Sequence, residues 1–368
     1  MDDIIIFGAP SRYIQGAGAI GRIGEFIKPY AGNALVVGGV TGLATTREGR
    51  AKSFAINGVK QTEAAFRGEP SDREVERLAG IGRAACCDVV IATGGGKAID
   101  AGKAAAELLG VPAVVVPTIA ANDAPCSALA IIHNDDGTFN RMHTLKRSPF
   151  MVLVDTEIIA RAPVRMLVSG MGDALATYYE AATCSRSGAR NNFGGMISAT
   201  TVGLAKLCLD TILEFGAAAK EACERNSVTK ALERVVEANS LLSGLGFESG
   251  GVAIAHALTD AFTSFPQLSE FTHGEQVAFG TLVHLCAENA PLAVVEQTAF
   301  FSRSVGLPHT LEALGLKASD PEIRMIAEIA AQEGKPSHNM ESEVTPGLIY
   351  EAIIEADRIG SSAHFTTV

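Results

Sequence analysis

The chain has 368 residues, enough for two domains with a core each. Hydrophobic residues make up 47% of it and charged residues 19%, which excludes a disordered protein. The net charge of −11, with no cluster or stripe of Lys and Arg, speaks against a nucleic acid or an anionic membrane surface as partner.

The opening MDDIIIFGAP is acidic, and its apolar run is too short for a signal peptide. No stretch approaches the ~20 uninterrupted apolar residues of a spanning helix. Seven scattered cysteines (Cys86, Cys87, Cys126, Cys184, Cys208, Cys223 and Cys286) show no CxxC spacing. They read as reduced thiols of a cytoplasmic protein and carry no metal.

Residues 1–162 alternate short apolar runs with helical patterns. Candidate strands are Asp3–Phe7, Tyr13–Gln15, Ala34–Val37, Val89–Ala92, Ala113–Val116 and Met151–Asp155. Helical spacing lies between them, as in Ser71–Ala85 and Ala98–Leu109, and the alternation predicts a parallel α/β sheet. From Pro163 to the C-terminus the texture is rich in Ala, Leu, Glu and Met with few β-branched runs. It predicts helices over Gly172–Ala182, Ser198–Thr211, Val228–Ser240, Val252–Phe262, Val277–Ala287 and Pro346–Ile359. The expected organisation is therefore an α/β domain at 1–162 and an all-helical domain at 163–368, with the cleft between two such domains as the expected place for ligands.

The most informative stretch is DVVIATGGGKAIDAGK, Asp88 to Lys103. A buried apolar run ends in Thr93 and three glycines, and helical spacing resumes after Lys97. A strand, a tight turn and a helix start in that order bring backbone N–H groups to a phosphate, with Lys97 as an added point charge. By contrast Gly16, Gly18 and Gly21 spell the dinucleotide fingerprint GxGxxG, but the acidic residue required about 20 positions on is missing. The strand Ala34–Val37 ends in Gly38 and Gly39 instead. Those earlier glycines are read as a turn with close packing.

A polar loop, Pro117 to Ser127, follows the strand Ala113–Val116 and carries Asp123 among small residues. It would lie at the carboxyl end of a parallel strand, the edge at which open sheets bind ligands. In the helical half, Asp173 stands in GMGDALATYYEA, His256 in GVAIAHALTD and His273 in FTHGEQVAFG. Each alone has an ordinary explanation: a helix-start carboxylate, a core histidine, a turn residue. Together they offer one carboxylate and two imidazoles, a set suited to a catalytic divalent metal with an open position. His284 follows His273 by 11 residues on one expected helix, too far along the axis to share its metal, and His309, His338 and His364 stand alone.

DVVIATGGGKAIDAGK, PTIAANDAPCSALAII, GMGDALATYYEA, AIAHALTD and FTHGEQVAFGTLVHL, five motifs in order over nearly the whole chain, resemble the glycerol dehydrogenase branch of the iron-type (group III) alcohol dehydrogenases. That family shares its fold with dehydroquinate synthase. The resemblance implies an N-terminal parallel-sheet domain binding NAD and a C-terminal helical domain holding the metal. It implies that Gly94, Gly95, Gly96 and Lys97 contact the pyrophosphate, with Asp100 in the same motif. Thr118, Ser127 and Leu129 would line the nicotinamide and adenosine sides, and Asp123 would reach a polyol substrate. Asp173, His256 and His273 match the metal ligands. The iron enzymes carry a further histidine one turn after the aspartate, where this chain has Thr177; the resemblance thus implies zinc rather than iron, one per subunit. Two departures stand out. Gly39 replaces the aspartate that relatives often direct at the adenosine ribose, while no Arg follows to hold a 2′-phosphate, so NAD stays ahead of NADP. His133 replaces the family's tyrosine at the cofactor and substrate side.

The expected activity is oxidation of glycerol or a small vicinal diol to the hydroxyketone, by hydride transfer to nicotinamide with the metal as Lewis acid. On the same fold, a hydroxycarboxylate dehydrogenase would use a cation such as His133 against a carboxylate. A glycerol-1-phosphate dehydrogenase or a dehydroquinate synthase would need several Lys or Arg at the substrate, and few lie near Asp123. A non-catalytic nucleotide-binding protein would have no need for the Asp–His–His set. Relatives form homo-oligomers, and the same is expected here.

Overall fold

A computed structural model of the chain describes residues 4–317, 319 and 321–362. It divides into two compact units. One comprises residues 8–167 and 221–244, the other residues 1–7, 168–220 and 245–368.

The first unit is built on strands β1 (Tyr13–Gly16), β2 (Asn33–Gly38), β3 (Lys60–Ala65), β4 (Val89–Gly94), β5 (Ala113–Pro117), β6 (Leu129–His133), β7 (Phe139–Thr144) and β8 (Met151–Asp155). Six of them form a parallel sheet in the order β1-β8-β5-β4-β2-β3. Helices α1 (Ile23–Ile27), α2 (Val40–Asn57), α3 (Asp72–Ala84) and α4 (Gly96–Leu109) connect β1 through β5 in turn, and α5 (Thr156–Ala160) follows β8. Alternation along the strands explains why both sheet faces are covered. Val36, Ile91 and Val114 belong to one apolar cluster, while their neighbours Leu35, Val37 and Val90 belong to another. From β2 the chain winds outward to β3, then returns to β4 and continues to β5 on the other side. The switch point therefore lies between the carboxyl ends of β2 and β4.

The second unit is helical: most of α6 (Val164–Ser187) and α7 (Ala199–Glu224), then α9 (Ser243–Gly250), α10 (Ile254–Phe262), α11 (His273–Ala287), α12 (Leu292–Val305), α13 (Pro321–Ala330) and α14 (Pro346–Gly360). Its core gathers Leu258, Phe279, Leu282, Ile326 and Ile353, all nearly inaccessible. Helix α8 (Lys230–Glu237) belongs to the α/β unit. It runs into a π-turn, Ala238–Leu242, before α9 begins. Among the described residues no single helix is long and apolar enough to cross a membrane.

The parallel sheet and the helical half match the expected class. The division differs from a single cut after residue 162, because 221–244 folds onto the α/β unit through contacts such as Gln15 Nε2 to Glu233 Oε2 at 2.6 Å. The N-terminal run is not a sheet strand. Asp3 lies outside the described residues, Ile4, Ile5 and Ile6 are exposed, and Ile5 forms one isolated parallel bridge with Met196. Sequence patterning overlooks β3 and the antiparallel β6–β7 hairpin. The first is an edge strand, KQTEAA, exposed along most of its length, and β7 (FNRMHT) is almost wholly exposed, so neither needs an apolar run.

Candidate functional site

At the switch point β4 ends in Gly94, whose φ of 136° is closed to ordinary side chains. Gly95 then caps α4 without a side-chain hydrogen bond, and the first turn of α4 holds no acidic residue. The N–H groups of that turn have no capping side chain or first-turn carboxylate among the described residues, and the helix dipole favours a negative ligand there. The neighbouring glycines have a second reason to be small. A Cβ on Gly95 would stand 3.0 Å from Ile119, and one on Gly96 3.1 Å from the Asn122 amide. The loop after β5 folds closely over the turn, and Thr118 N donates to Gly94 O at 3.0 Å.

The earlier GxGxxG motif does something else. Gly18, at φ 73°, starts a short 3₁₀ helix, and the Asp155 carboxylate accepts from Gly18 N and Ile20 N, both at 3.0 Å. The protein's own aspartate thus occupies that helix start. The turn is as expected, but the close packing is not: open space surrounds the Cβ positions of Gly16, Gly18 and Gly21.

The remaining expected cofactor residues fall in different surroundings. Lys97 is half-exposed, and its ammonium donates to Glu69 Oε1 at 2.6 Å. His133 Nδ1 lies 3.9 Å from the other oxygen of Glu69. Burial pushes the His133 pKa down, outweighing the pull of Glu69, so the ring is poorly suited to act as a cation. Asp100 faces inward, accepting from Ile131 N at 3.1 Å and lying 3.1 Å from the buried Lys103 ammonium. Its carboxylate is engaged within the protein, on the β6 side of α4. Thr118, Ser127 and Leu129 are all buried, and Gly39 has open space at its Cβ position.

Asp123 is half-buried, and Ser243 Oγ donates to its Oδ2 at 2.9 Å. The same turn of chain holds the start of the loop, since Asn239 Nδ2 donates to Ala120 O at 3.0 Å and to Leu167 O at 3.1 Å. A π-turn at 238–242 is what presents Asn239 and Ser243 to the loop, and such turns recur at functional sites.

In the helical unit, Asp173 lies within α6, His256 in the first turn of α10, and His273 at the first position of α11. Their ligand atoms all lie within 4.8 Å of one another, and together they could hold a metal ion. Asp173 Oδ1 is 3.2 Å from His273 Nε2 and 3.7 Å from His256 Nε2. Asp173 is buried, while the His273 side chain is 43% exposed, leaving the cluster open on one side. Helices α6 and α11 meet backbone to backbone here. A Cβ on Gly274 would fall 1.8 Å from Ser169 O, and one on Gly172 2.2 Å from Gly274 O. Only glycines permit that approach, and it sets His273 beside Asp173.

Glu180, two turns after Asp173 on α6, completes the cluster. Its Oε2 lies 2.5 Å from His256 Nδ1, and its Oε1 accepts from Ala253 N at 2.8 Å and His256 N at 3.2 Å. It caps α10 and holds a His256 proton on Nδ1, so that Nε2, the nitrogen facing Asp173, is the one that gives up its proton to a cation. Burial disfavours the charged His256 ring, but Glu180 and Asp173 outweigh it and hold its pKa well above the usual value. Asp173 is held below the ordinary carboxylate range: burial opposes ionisation, and His273 and His256 overcome it. A cluster this anionic, with two imidazole nitrogens converging on one carboxylate oxygen, has the donor chemistry of a divalent-cation site.

Thr177, one turn after Asp173, is buried with its methyl group against Gly246. The other histidines stand apart. His284 is fully buried with Nε2 3.3 Å from Thr183 Oγ1, His309 meets Leu307 O, and His338 meets Ala331 O. His364 lies outside the described residues.

A sequence model of the family described as iron-containing alcohol dehydrogenase matches residues 10–156. The chain is 48% identical over 361 residues, 98% of both chains, to the glycerol dehydrogenase of Escherichia coli O6:H1 (strain CFT073). The chain belongs to the iron-containing alcohol dehydrogenase family. It is accordingly an oxidoreductase. Within the family it is also 45% identical to the glycerol dehydrogenase of Thermotoga maritima, over 95% of this chain and 96% of that one. The crystal structure of glycerol dehydrogenase from Schizosaccharomyces pombe superposes with a TM-score of 0.91 at 34% identity, covering 98% of this chain and 93% of that one.

Sequence reasoning did not find Glu180, Ser243, Asn239, Glu69 or Lys103. Glu180 had a signal, its seven-residue spacing from Asp173, which places both carboxylates on one helix face. The others reach their partners only through tertiary folding.

Proposed function

We propose that this chain oxidises glycerol, or a small vicinal diol, to the hydroxyketone with NAD as hydride acceptor, at a zinc ion held by Asp173, His256 and His273. The observation that carries this reading is the Asp173–His256–His273 cluster with its Glu180 support, in a chain nearly half identical over its whole length to a glycerol dehydrogenase. The Asp–His–His donor set fits a divalent ion. Three protein ligands, with Thr177 in the place of a fourth, leave the open position of a catalytic zinc site.

When bound, the ion supplies a Lewis acid that makes the alcohol hydroxyl easier to deprotonate, and the nicotinamide supplies the hydride acceptor. The chain's own residues do the positioning. Glu180 fixes the His256 tautomer, and the Gly172–Gly274 contact fixes His273. Asp123, held by Ser243, accepts from a second substrate hydroxyl and so selects a diol over a monoalcohol. The N–H groups at the start of α4 receive the pyrophosphate, with Thr118, Ser127, Leu129 and His133 around the cofactor. Lys97 contributes to phosphate binding only by exchanging Glu69 for it, so the backbone donors carry more of that binding. Asp100 acts from beneath the helix rather than by touching the nucleotide. Gly39 leaves the ribose end without a carboxylate.

A hydroxycarboxylate substrate is not favoured, because burial keeps His133 from serving as its countercharge and Asp123 would repel the carboxylate. Seven free cysteines suit a reducing, cytoplasmic setting. Assembly into a homo-oligomer rests on the family resemblance. Steady-state kinetics with NAD and NADP on glycerol, 1,2-propanediol and 2-oxobutyrate test the reading. The diols should turn over with NAD at the highest kcat/KM. Faster turnover of the oxo acid, or no turnover of either diol, would overturn it.

A further inference from the structure

Lys103 is a lysine with no exposed side-chain surface, and the reading above gives it no role. It lies on α4 one turn after Asp100, on the helix whose first turn is the candidate pyrophosphate site. Its ammonium donates to three backbone carbonyls, Ala124 at 2.9 Å, Ser127 at 3.3 Å and Leu129. All three lie at the end of the Asp123 loop or the first residue of β6. Asp100, 3.1 Å away, supplies the countercharge, and its second oxygen takes Ile131 N two residues further along β6.

An apolar core would need none of this. Burying an ammonium is costly unless its protons and its charge are all met. Here both requirements are met by one loop and the strand that follows it. The carbonyls of an irregular loop lack the repeating partners of a helix or sheet, so a fixed donor cluster is what gives this loop one conformation. The other end of the loop is held independently by Asn239 and Ser243.

We propose that Lys103, with Asp100 as its countercharge, is a positioning residue that ties the Asp123 loop to α4, so that one helix sets both the phosphate-binding turn and the substrate-binding carboxylate. The inference rests on the proposed role of Asp123. It assigns the Asp100–Lys103 pair to substrate affinity and diol selectivity rather than to nucleotide contact.

Removing Lys103 alone would strand Asp100 and endanger folding, so the test pairs K103M with D100L/K103M, in which the buried pair becomes apolar. Both are compared with wild type by hydrogen exchange and by kinetics on glycerol and NAD. In the double variant, amides of 119–128 should exchange faster while those of the β4–α4 turn do not change. The KM for glycerol should rise about tenfold, as for the loss of a positioned hydrogen bond near 1.4 kcal/mol. The KM for NAD and the bound metal should stay near wild type. Faster loop exchange with an unchanged glycerol KM, or no change in loop exchange at all, would overturn the proposal. A wild-type chain that fails to oxidise glycerol would defeat the functional reading instead, while the exchange comparison still reports on the tie itself.

Discussion

Glu180 determines how His256 can be used. With a carboxylate on Nδ1, the ring keeps that proton and yields Nε2 to a cation. With an amide in its place, the Gln NH₂ facing Nδ1 favours the tautomer protonated at Nε2, which cannot ligate. E180Q should therefore fold and yet bind zinc about 10–100-fold more weakly, as is usual when such a supporting partner is lost, measured by competition with a zinc indicator. Unchanged affinity would show that Glu180 serves only as a helix cap. H256A should lose both the metal and turnover. On the proposed role of Asp123, S243A, which removes the donor to Asp123 Oδ2, should raise the glycerol KM by roughly 2–10-fold, for a hydrogen bond of about 0.5–1.5 kcal/mol, while the NAD KM stays constant. The convergence of Asp173, His256 and His273 was legible because their residue types and surrounding motifs belong to one family pattern. Lys103 and Ser243 were not, because a lysine in a helix and a serine among small residues look ordinary until folding brings a loop against them.

At the level of elements, two close approaches organise the sites. The first is the α6–α11 contact at Gly172 and Gly274. G274A would place a methyl carbon 1.8 Å from Ser169 O, which no rotamer change relieves. It should cost about 1–3 kcal/mol or more, lower the melting temperature, and reduce metal content by shifting His273. A stable G274A protein with full metal would show that the two helices tolerate separation. The second is the turn from β4 into α4, which sequence patterning located well because a buried apolar run, three glycines and a helical spacing coincide there. The same reasoning failed for the β6–β7 hairpin and for β3. β3 and β7 are mostly exposed and carry no apolar run, whereas β6 (LAIIH) is a buried apolar run too short to be assigned from its pattern alone. It also stopped short at the π-turn 238–242, since no local signal distinguishes one extra residue in a helix.

Across the whole molecule, the chain interleaves its two units. Residues 221–244 leave the helical half to supply the α/β unit with α8, Asn239 and Ser243, the side chains that hold the Asp123 loop. A change in composition at residue 163 marks where strands cease, but it cannot show that a later helix returns to the first unit. The β4–α4 turn and Asp123 belong to the α/β unit, and Asp173, His256 and His273 belong to the helical unit. The most direct test is glycerol-dependent reduction of NAD, followed at the absorbance of the reduced nicotinamide, with metal content measured on the same samples. Treatment with a chelator should remove both metal and activity, and about one zinc per chain, as a three-ligand site with an open position requires, should restore them. Full activity in metal-free protein, or no glycerol oxidation in protein carrying its zinc, would contradict the account.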